Sequence, residues 1–194
     1  MITVGPVLFI IGLLMSLVAI AMGLPAIADL ATGNPDWQVF AGSAAVSLFV
    51  GVSLMLATRS TSRANLNLRQ AFLLTTMSWV AVAGVGALPF AFSELEISVA
   101  DAFFESMSGI TTTGSTVIVG LDNAPPGILL WRALLQWLGG VGIIVMAMAM
   151  LPILSVGGMQ LFRTEAFDTP DKVLPRAAQI AGGIFAIYLF MTGL

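Results

Sequence analysis

Residues 101–116 read Asp-Ala-Phe-Phe-Glu-Ser-Met-Ser-Gly-Ile-Thr-Thr-Thr-Gly-Ser-Thr, and this stretch decides the fold. Its first half is apolar apart from Asp101, Glu105 and two serines, and its second half is rich in hydroxyl groups and glycine. The surrounding apolar region, 97–120, is interrupted by glycines, threonines and two carboxylates, and it is too polar to cross a bilayer. Irregular backbone at membrane depth is tolerated only where it is buried in protein or lines a polar path. We therefore predict a re-entrant segment that enters and leaves on the same side.

The composition of the whole chain is that of a membrane protein. Of the 194 residues 58% are hydrophobic and only 9% are charged, whereas about 25% are charged in a typical soluble domain. The net charge of −3 argues against a nucleic-acid partner. The chain has no His and no Cys, so thiol chemistry, His general bases and most transition-metal sites are excluded.

Long apolar runs flank the re-entrant segment on both sides. A membrane-spanning helix needs about 20 such residues, and the predicted spans are 4–28, 39–58, 70–92, 127–154 and a last run from 177 to 194. A cleaved signal peptide is the alternative for 4–28, but the run is long for one and no basic residue precedes it. The fold class is thus an all-α polytopic membrane protein with two leading transmembrane helices.

The basic residues give the orientation. Loops 29–38 and 93–126 contain none, whereas 59–69 and 155–176 contain three each, namely Arg59, Arg63, Arg69, Arg163, Lys172 and Arg176. By the positive-inside rule the N-terminus is cytoplasmic and the re-entrant segment opens outward. Arg132, inside a span, is the exception, and we expect it to pair with an outer carboxylate such as Asp122 or to snorkel.

A short helix is predicted at the start of the re-entrant segment. Ser98 and Asp101 match a capping box, so Asp101 is interpreted as a helix cap. The helix is expected to run to about Ser108 and to end at Gly109. Glu105 lies at membrane depth, and we expect its carboxylate to accept hydrogen bonds that hold the following loop.

The loop after this helix contains threonine and glycine, and no residue from 109 to 121 is charged. The residues on either side of the loop are acidic. Extended residues of this kind can offer carbonyl and hydroxyl oxygens to a dehydrated cation, as in potassium filters. The alternative is a polar hairpin loop between helices, which composition alone favours slightly.

A longer set of sequence motifs is more specific than the threonine–glycine loop alone. Residues 101–115 are followed by Leu-Trp-Arg-Ala-Leu-Leu-Gln-Trp-Leu-Gly-Gly-Val-Gly-Ile-Ile at 130–144, by Leu151-Pro152, and by Gly157-Gly158-Met-Gln-Leu-Phe-Arg163 with Glu165. This string resembles the first pore loop and following helix of the TrkH/KtrB family of potassium uptake proteins, and it is closer to TrkH. The resemblance covers 70–194, and before residue 70 it rests on hydropathy.

The resemblance implies four helix–pore loop–helix repeats around one pore, each with one strand of a selectivity filter. It implies that the filter residues here are Thr111, Thr112, Thr113, Gly114 and Ser115. It further implies that K⁺ binds at Thr112, Thr113 and Gly114, through main-chain carbonyls and the Thr112 hydroxyl.

The domain organisation follows from the same comparison. Residues 1–69 hold the two leading helices and a cytoplasmic loop, 70–154 form the first repeat, 155–176 form a cytoplasmic connection, and 177–194 begin a second, truncated repeat. Three filter strands are then absent, so we expect the chain to be the N-terminal portion of a longer protein. Assembly of a homotetramer is the alternative.

The resemblance also implies the partners and the location. K⁺ is the transported ion, with no organic cofactor. The partners are membrane lipid, the remaining repeats of the same protein, a TrkA-like nucleotide-binding regulatory subunit and a second copy in a homodimer, without nucleic acid. The location is the cytoplasmic (inner) membrane of a prokaryote.

Two other functions fit the residues. A non-conducting membrane assembly subunit would depend on close helix packing at Gly139, Gly140 and Gly142 rather than on the loop. A secondary cation transporter would use Glu105 as its carrier. An enzyme is not expected, because without His or Cys it would rely on Lys172 or a carboxylate pair.

Trp131 is expected in an interfacial belt.

Overall fold

The computed structural model describes residues 4–61, 68–154 and 173–193. Over these ranges the regular secondary structure is helical, which confirms the all-α prediction. The helices are α1 (Gly5–Ala21), α2 (Gly23–Thr32), α3 (Trp37–Thr58), α4 (Leu68–Gly86), α5 (Leu88–Phe92), α6 (Val99–Ile110), α7 (Pro126–Leu154) and α8 (Val173–Thr192). Short 3-10 turns occur at Arg59–Thr61 and Leu121–Asn123. Most of the predicted connection 155–176, and residues 62–67 of the first cytoplasmic loop, lie outside the described residues.

Within the described residues, four stretches of helix are long and apolar enough to cross a membrane. They are Gly5–Thr32, Trp37–Thr58, Arg69–Phe92 and Pro126–Ile144. Large apolar side chains on their outer surfaces are exposed, and Phe49 is 74% accessible. Exposure of this kind is what a lipid-facing surface requires. The prediction of a multi-pass membrane protein is confirmed.

Two of the predicted spans are broken rather than continuous. The first divides at Met22 and the third at Ala87. In each case a proline follows within three residues, Pro25 and Pro89, and proline cannot donate the hydrogen bond that the preceding turn needs. The last helix already includes Val173, four residues before its predicted start, because Pro175 in its first turn is tolerated there.

The chain divides into two compact units, Met1–Leu138 and Gly139–Leu194. In the first unit, α1 crosses α3 at small residues. A Cβ on Gly12 would lie 2.6 Å from the carbonyl oxygen of Gly51, and a Cβ on Gly51 would lie 2.5 Å from Oγ of Ser16. Only glycine fits at these two positions, so the two backbones pack directly against each other.

Helix α6 is packed between α4 and α7. A Cβ on Gly86 would lie 2.5 Å from Oγ of Ser106, and a Cβ on Gly109 would lie 3.0 Å from Cβ of Leu135. Trp131 of α7 is fully buried, and its indole Nε1 donates to the carbonyl of Gly86 at 2.9 Å. The Trp131 side chain thus belongs to the core around α6 and is not exposed on the outer surface of the protein.

The second unit contains one close approach of the predicted kind. A Cβ on Gly140 of α7 would lie 2.7 Å from the hydroxyl of Tyr188 in α8, which supports a packing role for Gly140. No described atom lies within 4 Å of the corresponding point on Gly142. The predicted packing contact is thus absent at Gly142 within the described part of the chain.

Candidate functional site

Helix α6 begins as the capping box predicts. The hydroxyl of Ser98 accepts a hydrogen bond from the Asp101 backbone N–H at 3.1 Å and donates one to the Asp101 carboxylate at 2.7 Å. The helix continues to Ile110, two residues beyond its predicted end. Gly109 lies inside it, and the close approach of Leu135 accounts for the glycine. The prediction that Gly109 ends the helix is wrong.

The four residues after α6 turn their amide groups back toward the helix. The N–H of Thr111 donates to the Met107 carbonyl at 3.0 Å, and that of Thr112 donates to the Gly109 carbonyl at 2.9 Å. The N–H groups of Thr113 and Gly114 both donate to the carbonyl of Ser108, at 3.0 and 3.3 Å.

This bonding fixes where the loop carbonyls point. In a trans peptide the N–H and the carbonyl of the same group point in opposite directions. The carbonyls of the four peptide groups concerned, those of residues 110–113, therefore point away from α6. They are acceptors directed away from the helix, in a loop whose residues 112–117 are exposed.

The backbone angles show that the loop is held in an unusual conformation. Thr112 has a φ of 59° and Gly114 a φ of 77°, whereas Thr111 has a φ of −84°. Positive φ is rare for a β-branched residue. Such strained residues persist only where the surroundings impose them, and they concentrate at functional sites.

Ser115 is placed differently from the residues before it. Its carbonyl accepts a hydrogen bond from the Ser108 hydroxyl at 2.6 Å, so it faces α6 rather than the free surface. Among the hydroxyls, that of Thr111 donates to the Met107 carbonyl at 2.7 Å and lies 2.9 Å from that of Thr113. The Thr112 hydroxyl has no hydrogen-bond partner among the described residues.

A buried ion pair lies behind the outer half of the loop. The Glu105 side chain is fully buried and pairs with Nη1 of Arg132 from α7. Glu105 Oε2 also accepts a hydrogen bond from the Val117 backbone N–H at 2.9 Å, and Arg132 Nη1 donates to the Thr116 hydroxyl at 2.8 Å. Each member of the pair is thus attached to the loop directly after residues 111–115.

Arg132 pairs with a carboxylate of the outward stretch, as expected, but this carboxylate is Glu105 and not the suggested Asp122. Arg132 does not extend to the protein surface. Its side chain is only 13% exposed. Sequence separation explains the error, since no local pattern relates residue 105 to residue 132. Gln136, one turn further along α7, has its Nε2 3.4 Å from where a Cβ on Gly114 would lie.

Sequence reasoning missed two buried acidic residues near the start of α7 and α3. Asp29 is fully buried, and its Oδ1 accepts a hydrogen bond from the Gly127 backbone N–H at 2.6 Å. Asp36 is also buried. Burial raises the pKa of Asp36 above its ordinary value, and the charges of Glu94 and Asp29 raise it further, although a hydrogen bond from the Glu94 backbone opposes them. Their only sequence signal is a carboxylate at the edge of an apolar run.

Within the described residues, no group of three His, Cys, Asp or Glu side chains comes together to hold a metal ion. The outward carbonyls of residues 110–113 can offer neutral dipoles to a cation. The buried carboxylate behind the loop, that of Glu105, is paired with Arg132.

Comparisons with known proteins show which family the chain resembles. The family model described as TrkH, cation transport protein, matches residues 36–194. A curated relative, the Trk system potassium uptake protein TrkI of Halomonas elongata, is 41% identical over 97% of this chain and 38% of its own length. The potassium uptake protein TrkH of Escherichia coli K12 is 43% identical over 94% of this chain and 38% of its own length.

A solved structure gives the same result. The crystal structure of the potassium transporter TrkH from Vibrio parahaemolyticus matches with a TM-score of 0.82 and 39% identity, over 97% of this chain and 37% of that chain. The similarity therefore includes the leading helices, whereas the sequence motifs of the family lie within residues 70–194. The chain spans less than two fifths of the length of these relatives. The sequence and structural matches together establish that it belongs to the TrkH family of cation transport proteins.

Proposed function

We propose that this chain contributes one filter strand to a pore through which K⁺ enters the cell. The bonding of four successive amide groups to α6, which turns the carbonyls of residues 110–113 outward, carries the proposal. Such carbonyls can replace the hydration shell of a K⁺ ion. The names of the relatives, potassium uptake proteins, support the choice of ion.

The residues that would bind the ion are the predicted ones, with different roles within the set. Thr111, Thr112 and Thr113 offer outward carbonyls, Thr112 also offers its hydroxyl, and Gly114 supplies the positive φ that continues the row. Ser115 serves better as an anchor, because its carbonyl is already bonded to Ser108. The membrane potential would drive entry, with about 2.3 kcal/mol per charge per 100 mV.

The wider organisation follows from the family. We place the leading helices in 1–69, the first pore repeat in 70–154 and the start of a second repeat at 177–194, with the other filter strands supplied by the remaining repeats. The basic loops support a cytoplasmic N-terminus in the inner membrane of a prokaryote. A TrkA-like regulatory subunit and a homodimer belong to the same proposal and rest on the family resemblance.

Glu105 is assigned a supporting role. Its carboxylate is occupied by Arg132 and by the Val117 N–H, which argues against a free ion carrier. Glu105→Gln distinguishes the two functions. The glutamine carbonyl can still accept from Val117, so a support leaves partial K⁺ flux, whereas a carrier that must bind the cation or a proton loses transport completely.

The decisive test changes Gly114. In cells that lack their own potassium uptake systems, the native-length protein with Gly114→Asp should insert in the membrane but lose its preference for K⁺ over Na⁺. Aspartate disfavours the required φ of 77° and adds a charge to the row. Uptake of both ions is measured per amount of inserted protein.

Gly33→Asp is the matched control. Gly33 has a φ of 74° at the C-terminal cap of α2, with no described atom within 4 Å of its Cβ position. It therefore carries the same backbone strain at a site remote from the loop in sequence, and selectivity should persist. Normal K⁺ preference in Gly114→Asp would refute the filter assignment.

A further inference from the structure

The first turns of α7 are held by the leading helices at a buried polar contact. The Asp29 carboxylate, at the end of α2, accepts the hydrogen bond from Gly127 across 98 residues of sequence. Pro125 lies just before α7 and Pro126 is its first residue, so the Gly127 N–H is the first donor that this helix end presents. A buried helix end must have its free N–H groups satisfied, and a negative charge is favoured there.

The same contact explains the glycine at position 127. A Cβ at this position would overlap the Asp29 carboxylate. The carboxylate thus occupies the space that a side chain would take, and any larger residue at 127 must displace it. The Asp29 carboxylate needs the space that glycine leaves, and the Gly127 N–H needs the carboxylate as its acceptor. The contact is therefore specific to these two residues and is not general apolar packing.

A second contact from the leading helices lies one turn further along α7. Phe40 of α3 packs edge-on against Trp131, with ring centroids 6.3 Å apart and an interplanar angle of 74°. Both side chains are fully buried. Residues 127 and 131 are four apart, so they lie on one face of α7. Two leading helices therefore set the position and rotation of the same turn.

The residue that follows Trp131 is Arg132, which reaches Glu105 and Thr116 behind the loop. A helix is rigid over one turn, so the two contacts also fix where the guanidinium lies. We infer that the two leading helices are positioning elements for the filter loop, with Asp29 and Phe40 acting on it through the first turns of α7. This inference rests on the proposed function.

The test uses one variant in α7 and one in the leading helices, both in the native-length protein. Gly127→Ala and Phe40→Leu are each expected to lower the K⁺-to-Na⁺ uptake ratio by about threefold to tenfold, in line with the free energy usually lost with a helix cap or a trimmed core side chain. A merely structural role would lower the amount of inserted protein but leave the ratio per molecule unchanged.

Further variants identify Asp29 as the acting group. Asp29→Ala should lower the ratio as Gly127→Ala does, and the double variant should be no worse than either single one, because both remove the same contact. Asp29→Asn should keep most of the ratio, since asparagine caps helices about as well as aspartate. Gly42→Leu is the control: this residue lies in the same helix as Phe40, no described atom lies within 4 Å of its Cβ position, and its replacement should leave the ratio unchanged.

The outcomes separate this inference from the proposed function. If Gly114→Asp abolishes the ratio while Gly127→Ala and Phe40→Leu retain the wild-type value, the leading helices do not position the loop and the inference is wrong. If the wild type shows no K⁺ preference, the proposed function itself fails. Should Asp29→Ala not be recovered from membranes, Gly127→Ala and Phe40→Leu decide the question alone.

Discussion

The crossing of α1 with α3 and the contact of α6 with α7 are both buried, but they are made of different groups. The first consists of backbone against backbone, with Gly12 and Gly51 leaving no room for a Cβ. The second carries an ion pair, Glu105 with Arg132, whose members also bond to the loop. Close packing is sufficient to join two membrane helices. A buried charge pair gives little net stability, and in the function proposed above this pair supports the loop.

The largest expected effect comes from removing one charge of the pair. Arg132→Leu leaves the Glu105 carboxylate buried without its partner, which typically costs about 3–5 kcal/mol. We expect both thermal stability in detergent and K⁺ selectivity to fall. The measurements are a thermal unfolding curve and the K⁺-to-Na⁺ uptake ratio.

The double variant Glu105→Gln with Arg132→Met provides the control for this effect. It leaves no buried charge at this site, so stability should recover in part. Selectivity should not recover, because methionine at position 132 cannot donate a hydrogen bond to Thr116. Wild-type stability and selectivity in Arg132→Leu would contradict the role assigned to the pair.

A smaller effect, on stability alone, is expected at the other contact. Gly51→Leu places side-chain atoms against the Gly12 carbonyl, 2.7 Å from the Cβ position, and α1 must move away from α3. Overpacking of this kind costs about 1–3 kcal/mol. The unfolding temperature should fall while the K⁺-to-Na⁺ ratio per inserted molecule is retained.

Gly42→Leu is the matched control in the same helix, since no described atom lies within 4 Å of its Cβ position. It should change neither quantity. A loss of selectivity in Gly51→Leu would mean that the α1–α3 crossing also affects the loop.

The smallest effect concerns Asp36, which lies at the start of α3 and makes no side-chain cap hydrogen bond there. Its pKa is raised in the folded protein above the ordinary value of 3.8, by burial first and then by neighbouring charges. Between these two pKa values the folded state binds the proton more tightly than the unfolded state does. Stability therefore falls as pH rises through this window.

Asp36→Asn removes this dependence. Measured from pH 4 to neutral pH, the unfolding temperature of the wild type should fall relative to that of the variant as the pH increases. Parallel curves over the whole range would show that the Asp36 pKa is not raised by folding.

The sequence was informative where the determining contacts are local. Ser98 and Asp101 predicted the start of α6 because a capping box spans four residues, and apolar length predicted the spans. Pro25 and Pro89 were visible near the helix ends, yet the breaks at Met22 and Ala87 were not predicted. In a mainly apolar run, the position of a break depends on the packing around it.

The tertiary contacts of the candidate site were not predictable in the same way. The partner of Arg132 and the burial of Trp131 depend on how α4, α6 and α7 pack, and the Asp29–Gly127 bond joins residues 98 positions apart. Ser115 was grouped with the preceding threonines because the family motif includes it, and a motif cannot show which way a carbonyl points. The bond from Ser108 makes that distinction.

Two residues of α6 that bond to the loop make insertions and deletions between them unfavourable. Glu105 and Ser108 are three residues apart, so they share one face of the helix and meet the loop together, at Val117 and Ser115. Inserting or deleting one residue between them would rotate one anchor by about 100° relative to the other. A change in the length of the helix between these two residues therefore cannot be accommodated without releasing one end of the loop.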